Sequence, residues 1–182
     1  MQKEFEHIEQ YLYTEVNEQK RFKNGVDIGC GTNPLSPQIL SIDAQPDPRY
    51  SSGLMVWDCI NLELFSDNVL DFIFSSHCLE DFENIPEVFC NWWRKLKVGG
   101  LMILLLPDME NCDCEHCKGK SRYAKVGEDK GNPSHRTNTG EKYISDMLDR
   151  LHAQEKINYK ILQKNTIPHN ESCSVDFVIK KE

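Results

Sequence analysis

Apolar positions recur with two different periods along these 182 residues, and the switches between them mark out the elements. Phe5, Ile8, Leu12 and Val16 fall at helical spacing and predict an amphipathic helix over 3–20, within an N-terminal helical segment of 1–22. "GVDI" then reads as a short strand ending at Gly29. "QILSID" (38–43) and "GLMVWD" (53–58) read as the second and third strands. "VLDFIFSS" (69–76) is a fourth, nearly apolar on both faces as buried parallel strands are.

The next stretch, "NIPEVFCNWWRKLKVGG", has a different period. Val88, Phe89, Trp92, Trp93 and Leu96 make a wide helical stripe, best read as core. Asn84 is placed to cap this helix and Pro86 suits its first turn. Arg94, Lys95 and Lys97 suit the negative end of the helix dipole, and Gly99-Gly100 suit its stop. "LMILLLP" (101–107) is a fifth strand. Residues 138–151 resume as a helix, with Asn138 and Glu141 as a capping pair. "KINYKIL" and "SVDFVIK" alternate with period two and predict a closing antiparallel pair. The sum is one α/β domain over 1–182. Its mostly parallel, Rossmann-like sheet of seven strands carries an antiparallel C-terminal hairpin. Residues 108–135 lack periodicity and read as a variable substrate-side lid.

Composition narrows the class. Hydrophobic residues make up 39% and charged residues 27%, as in ordinary globular proteins. No apolar run is long enough for a membrane span. The acidic, amide-rich start has no secretory-signal pattern, so the eight cysteines are expected as reduced thiols in a cytoplasm. A net charge of −8 argues against non-specific nucleic-acid binding. The charge is uneven: residues 1–117 carry eight basic against twenty acidic residues, and 118–182 carry thirteen against nine. That basic C-terminal third suits an anionic acceptor group. Oligomeric state is not legible.

In an open α/β sheet the ligand sits beyond the carboxyl ends of the strands. There the chain puts Asp27-Ile28-Gly29-Cys30-Gly31, Asp43, Asp58-Cys59 and Ser75-Ser76-His77. A dinucleotide would want a third glycine where Pro34 stands, and an acid later than Asp43. A phosphate loop would want a Gly-Lys-Ser/Thr ending, which is missing. A nucleoside without phosphates fits better. Asp43 can accept from ribose hydroxyls and Asp58 from the adenine amine, with the Cys59 backbone N–H left for a ring nitrogen. A cationic ligand would tolerate the acids. These needs describe S-adenosyl-L-methionine.

"VDIGCGTNP", "SIDAQ", "MVWDC", "DNVLDFIFSSHCLEDF" and "WWRKLKVGGLMILLLPD" stand in the order seen in class I S-adenosylmethionine-dependent methyltransferases. The chain resembles especially the small group read as "type 11", over about residues 24–108 and more weakly to the end. The resemblance implies that Asp27, Gly29, Cys30, Gly31 and Asn33 form the methionine-side loop. It further implies that Asp43 holds the ribose, Asp58 and Cys59 the adenine, and Ser75 and His77 the methionine side. One departure stands out. Only "TNPLSPQ" separates the glycine turn from the second strand, so the usual helix is absent and helices are short on that face. Asn33, which tolerates left-handed backbone, replaces the third glycine.

The implied activity is methyl transfer to a small or sugar-like oxygen or nitrogen acceptor, the sugar by analogy alone. A non-catalytic module with the same fold is the alternative. His77 and His135 are the candidate bases, with Arg136 nearby; Glu80 and Asp81 read as turn or helix-start acids. Cys112, Cys114 and Cys117 with His116 or His135 could supply four zinc ligands, but the C-x-C-x-x-C spacing is not that of a standard finger. No metal is assigned.

Overall fold

The computed structural model describes residues 8–16, 19–31, 33–44, 54–111, 125–127, 133–167 and 173–182. The elements in chain order are α1 (Glu9–Leu12), β1 (Tyr13–Val16), β2 (Gln19–Phe22), β3 (Gly25–Ile28), β4 (Leu40–Asp43), β5 (Leu54–Val56) and β6 (Leu70–Ser76). A 3-10 turn (Leu79–Asp81) follows, then α2 (Ile85–Lys95), β7 (Leu96–Pro107), α3 (Glu141–Ala153), β8 (Tyr159–Ile167) and β9 (Ser174–Lys181). Seven strands form one sheet in the order β5-β4-β3-β6-β7-β9-β8. The first five are parallel neighbours, and β9 and β8 close the edge antiparallel. The chain runs outward from β3 to β5, then returns to β6 on the other side. The switch point therefore lies between β3 and β6, where a crevice opens beyond the strand ends.

Alternation along the central strands explains why they read as continuously apolar. Met102, Leu104 and Leu106 of β7 join Val26, Ile28, Ile73, Phe177 and Ile179 in one buried cluster with α2 and α3. Leu101, Ile103 and Leu105 join Phe72, Phe74 and Val178 on the other face. Among the described residues, Ile8, Leu12, Ile39 and partly buried side chains such as Leu35 cover that second face. Trp92 is fully buried and donates its indole N–H to the Cys59 carbonyl at 2.7 Å, which ties α2 to the turn after β5. Phe89 and Trp93 stack with centroids 5.5 Å apart.

Several expectations are corrected. Of the helix predicted over 3–20, Glu9–Leu12 is helical, residues 3–7 lie outside the described residues, and Tyr13–Val16 pairs antiparallel with Gln19–Phe22 instead of continuing the helix. Ile8 and Leu12, four apart, are buried together as the spacing implied. After them the aromatic and β-branched residues of "YTEV" favour extended backbone. Asn84 does not cap α2 with its side chain; its amide donates to the Glu87 carboxylate at 2.8 Å. The helix ends at Lys95, before the glycines. Leu70 pairs with Leu96 and Phe72 with Leu101, so residues 97–100 bulge out, with Gly99 at φ +82°. Asn138 and Glu141 do not cap α3. Glu110 reaches across instead and accepts the backbone N–H groups of Lys142 and Tyr143, both at 2.8 Å. Asn138 accepts from Val126 N–H, and Glu141 pairs with Lys164.

Candidate functional site

Gly29 and Gly31, at φ +71° and +51°, turn the chain sharply off the end of β3. Asn33 does not share the left-handed backbone expected of it; its N–H donates to the Cys30 carbonyl at 3.0 Å and closes the turn. The two glycines serve different ends. A Cβ on Gly29 would stand 2.3 Å from Cβ and Sγ of Cys78, whereas one on Gly31 would meet nothing within 4 Å among the described residues. Gly29 is a packing requirement, and Gly31 presents bare backbone to open space.

Three acids at the ends of β3, β4 and β5 fix this region by accepting backbone N–H groups. Asp27, 1% exposed, accepts from Leu35 at 2.7 Å and from the Ser41 hydroxyl at 3.5 Å. It stands behind the loop rather than in it. Asp43 accepts from Gly31 at 2.8 Å. Asp58 is exposed, accepts from Ile60 at 2.7 Å and holds the Asn61 amide at 2.9 Å. A carboxylate offers about four acceptor positions, so Asp43 and Asp58 can serve a ligand and the loop together. These contacts suit a nucleoside whose hydroxyls and amine need acceptors, beside backbone that can be approached closely.

Burial pushes the Asp27 carboxyl up to about 6, helped by Asp43 and opposed by the Leu35 and Ser41 hydrogen bonds. The Cys30 thiol is pushed to about 12, first by burial and then by Asp27 and Asp43. The Cys59 thiol is raised to about 11 by burial and Asp43. Both stay protonated at neutral pH and are unsuited to nucleophilic work. Cys30, Cys59, Cys78 and Cys90 are free, but Cys173 is disulfide-bonded, which corrects the expectation of uniformly reduced thiols.

The end of β6 is built differently. Ser75 is buried, and its hydroxyl has no hydrogen-bond partner among the described residues. His77 follows in left-handed backbone, φ +53°, with its N–H donating to the Leu105 carbonyl at 2.9 Å. Glu80 in the 3-10 turn is fully buried, and among the described residues neither carboxylate oxygen has a hydrogen-bond partner. Nδ1 of His77 and Nε2 of His135 both stand 3.6 Å from its Oε1. The main chain is laced here too: Arg136 and Thr137 donate N–H to the Glu80 carbonyl at 2.9 and 3.1 Å. Burial lowers the His135 imidazole, against the pull of Glu80. Asp81 is raised to about 6 by burial and Glu80, against Arg136 and His77.

The structure thus brings His77 and His135 to one carboxylate that sequence reading set aside as a turn acid. The only signal available was the i, i+3 spacing of His77 and Glu80, since His135 arrives from 55 residues away. Cys112, Cys114, Cys117 and His116 lie outside the described residues. Among the described residues no group of three or more ligating side chains could hold a metal ion. No described helix is long and apolar enough to cross a membrane.

Residues 26–104 match a family described as a methyltransferase domain. No curated protein matches the sequence. Solved structures share the fold at low identity. A Pyrococcus horikoshii protein is 17% identical, with 100% of this chain and 91% of that one covered at a TM-score of 0.65. A SAM-dependent methyltransferase of Archaeoglobus fulgidus is 15% identical, with 98% and 92% covered at 0.63. A Thermotoga maritima SAM-dependent methyltransferase, described as a possible histamine N-methyltransferase, is 17% identical, with 89% and 84% covered at 0.62.

Proposed function

We propose, from a chain whose residues 26–104 match a methyltransferase domain, that it is a class I S-adenosylmethionine-dependent methyltransferase and methylates a small or sugar-like acceptor on oxygen or nitrogen. The observation that carries the cofactor half is Gly31: bare backbone beside open space, with its N–H held by Asp43 at 2.8 Å. In this reading the backbone of Gly29, Cys30, Gly31 and Asn33 faces the amino-acid end of the cofactor, and Asp27 braces that loop from behind. Asp43 takes the ribose, Asp58 and Cys59 the adenine, and Ser75 and His77 close the methionine side. When bound, the cofactor supplies a methyl group on a sulfonium. The chain's own residues align the acceptor and keep water out. His77 and His135 are the candidates for taking an acceptor proton, and the more exposed His77 is the better suited of the two.

A small acceptor is supported by the Thermotoga maritima neighbour, whose suggested substrate is a small amine. The basic C-terminal third suits an acceptor with an anionic group. Four free thiols suit a reducing cytoplasm, although the Cys173 disulfide counts against it. The test is transfer of labelled methyl from S-adenosylmethionine to a panel of simple amines, sugars and sugar phosphates. Labelled product within one of these classes is the expected result. Cofactor binding with no transfer to any panel member would overturn the small-acceptor reading.

A further inference from the structure

A carboxylate with no exposed surface and no hydrogen-bond donor is costly unless a cation stands beside it. Among the described residues Glu80 is in that position, with Nδ1 of His77 and Nε2 of His135 standing against its carboxylate. At 3.6 Å these are ion-pair separations, longer than hydrogen bonds, and such contacts tighten when substrate is bound. The two imidazoles differ. His77 has a side chain 38% exposed at the mouth of the crevice, while that of His135 is 6% exposed behind it.

We propose that Glu80 is a positioning residue: its buried carboxylate holds Nδ1–H of His77, so that Nε2 of the same ring faces the acceptor as the base, while His135 braces the carboxylate from behind. This rests on the methyltransferase reading for its chemistry but not for its geometry. Bound S-adenosylmethionine would supply the methyl group and leave as the neutral thioether. The proton displaced from the acceptor would therefore pass to Nε2, and the resulting His77 imidazolium would stand opposite Glu80. Nδ1 keeps its proton throughout. The carboxylate thus does for His77 what the acid of a hydrolase triad does for its histidine, fixing tautomer and orientation and stabilising the cation.

Other charges face the same pocket. Asp81 shares the 3-10 turn, Asp43 comes from the end of β4, and Arg136 comes from the segment leading to α3. Cys78 leads into the 3-10 turn, its thiol held well above the ordinary range by burial and by Cys59, Glu80, Asp81 and Asp43. The laced main chain makes Glu80 a rigid platform. Arg136 and Thr137 donate to its carbonyl, the Thr137 hydroxyl donates to Phe82 O at 3.2 Å, and that of Thr139 to Pro107 O at 3.0 Å.

The test reads the ring nitrogens directly, with neither cofactor nor acceptor. Long-range proton–nitrogen NMR spectra of the full chain with labelled histidine, assigned by His77→Gln and His135→Gln, report the tautomer of each ring. The expected result is a Nδ1–H tautomer for His77 above its titration. In Glu80→Gln, His77 should move toward the Nε2–H form that free imidazoles prefer, and His135 should lose its proton at lower pH. Glu80→Asp should recover part of both effects. A wild-type His77 in the Nε2–H form would overturn the proposal, even if Glu80→Gln failed to fold. So would ring signals indifferent to Glu80→Gln, or one equivalent of metal in the purified protein that Glu80→Gln releases. Failure to bind S-adenosylmethionine, with the tautomer as expected, would instead count against the methyltransferase reading alone.

Discussion

The two halves of one crevice use acids in opposite ways. At the ends of β3, β4 and β5, Asp27, Asp43 and Asp58 each hold a backbone N–H at 2.7–2.8 Å. At the end of β6 and beyond it, Glu80, Asp81 and Asp108 each have at least one buried carboxylate oxygen without a hydrogen-bond partner among the described residues. The first half is finished: its charges set loop geometry, and in the proposed reading a ligand would meet preorganised backbone. The second keeps its polar capacity in side chains, where a proton can be taken or a cation stabilised. A cofactor that is always the same suits the first design, and an acceptor that must change during the reaction suits the second.

Breaking the finished half at its tightest point has the largest predicted effect. Gly29→Ala must clear Cys78 and carry a side chain at φ +71°, which should cost about 3 kcal/mol of stability in a denaturant titration. Gly31→Ala has the same backbone sign but open space, so about 1 kcal/mol is expected there, with any further effect confined to cofactor affinity. Equal destabilisation by the two would erase the distinction between packing glycine and ligand-facing glycine.

Asp27 offers a pH test of the same half. Burial pushes its carboxyl up to about 6 in the folded chain from an ordinary 3.8, so the folded state holds more protons between those values. Stability from this residue is therefore fully present below about 3.8 and is lost as pH rises through 6, by up to about 3 kcal/mol. Denaturant midpoints measured from pH 4 to 7 should carry that falling component, and Asp27→Asn should remove it. A slope untouched by the substitution would mean that burial does not govern Asp27.

The smallest effect concerns the stem of the acceptor half. Glu110→Ala takes away the carboxylate that accepts Lys142 and Tyr143 N–H at the start of α3. A loss of about 1 kcal/mol is expected from the melting temperature, as for other helix caps. No change would show that water serves those N–H groups equally well.

The same division decided what could be read without coordinates. The ends of β3, β4 and β5 are local in sequence. An acid and glycines following an apolar run need no distant partner to be recognised, so "VDIGCG", "SID" and the β6 terminus were legible, as was the Trp92 and Trp93 face of α2. What escaped depends on distant residues. Glu110 displaces Asn138 as the cap of α3 from about thirty residues away, and Glu80 acquires its meaning only when His135 folds back onto it. The N-terminal error has another cause. Ile8 and Leu12 satisfy a helix and are buried, but continuing that spacing to Val16 could not outvote the extended preference of Tyr13–Val16.

The central claim is that the finished half is a cofactor site, and calorimetric titration of the full chain tests it most directly. S-adenosylmethionine and its demethylated product should each bind with one-site stoichiometry. Asp43→Ala should lower both affinities at least about tenfold, the worth of one charge-assisted hydrogen bond. Absence of binding in the wild type, or equal affinity in Asp43→Ala, would contradict the account.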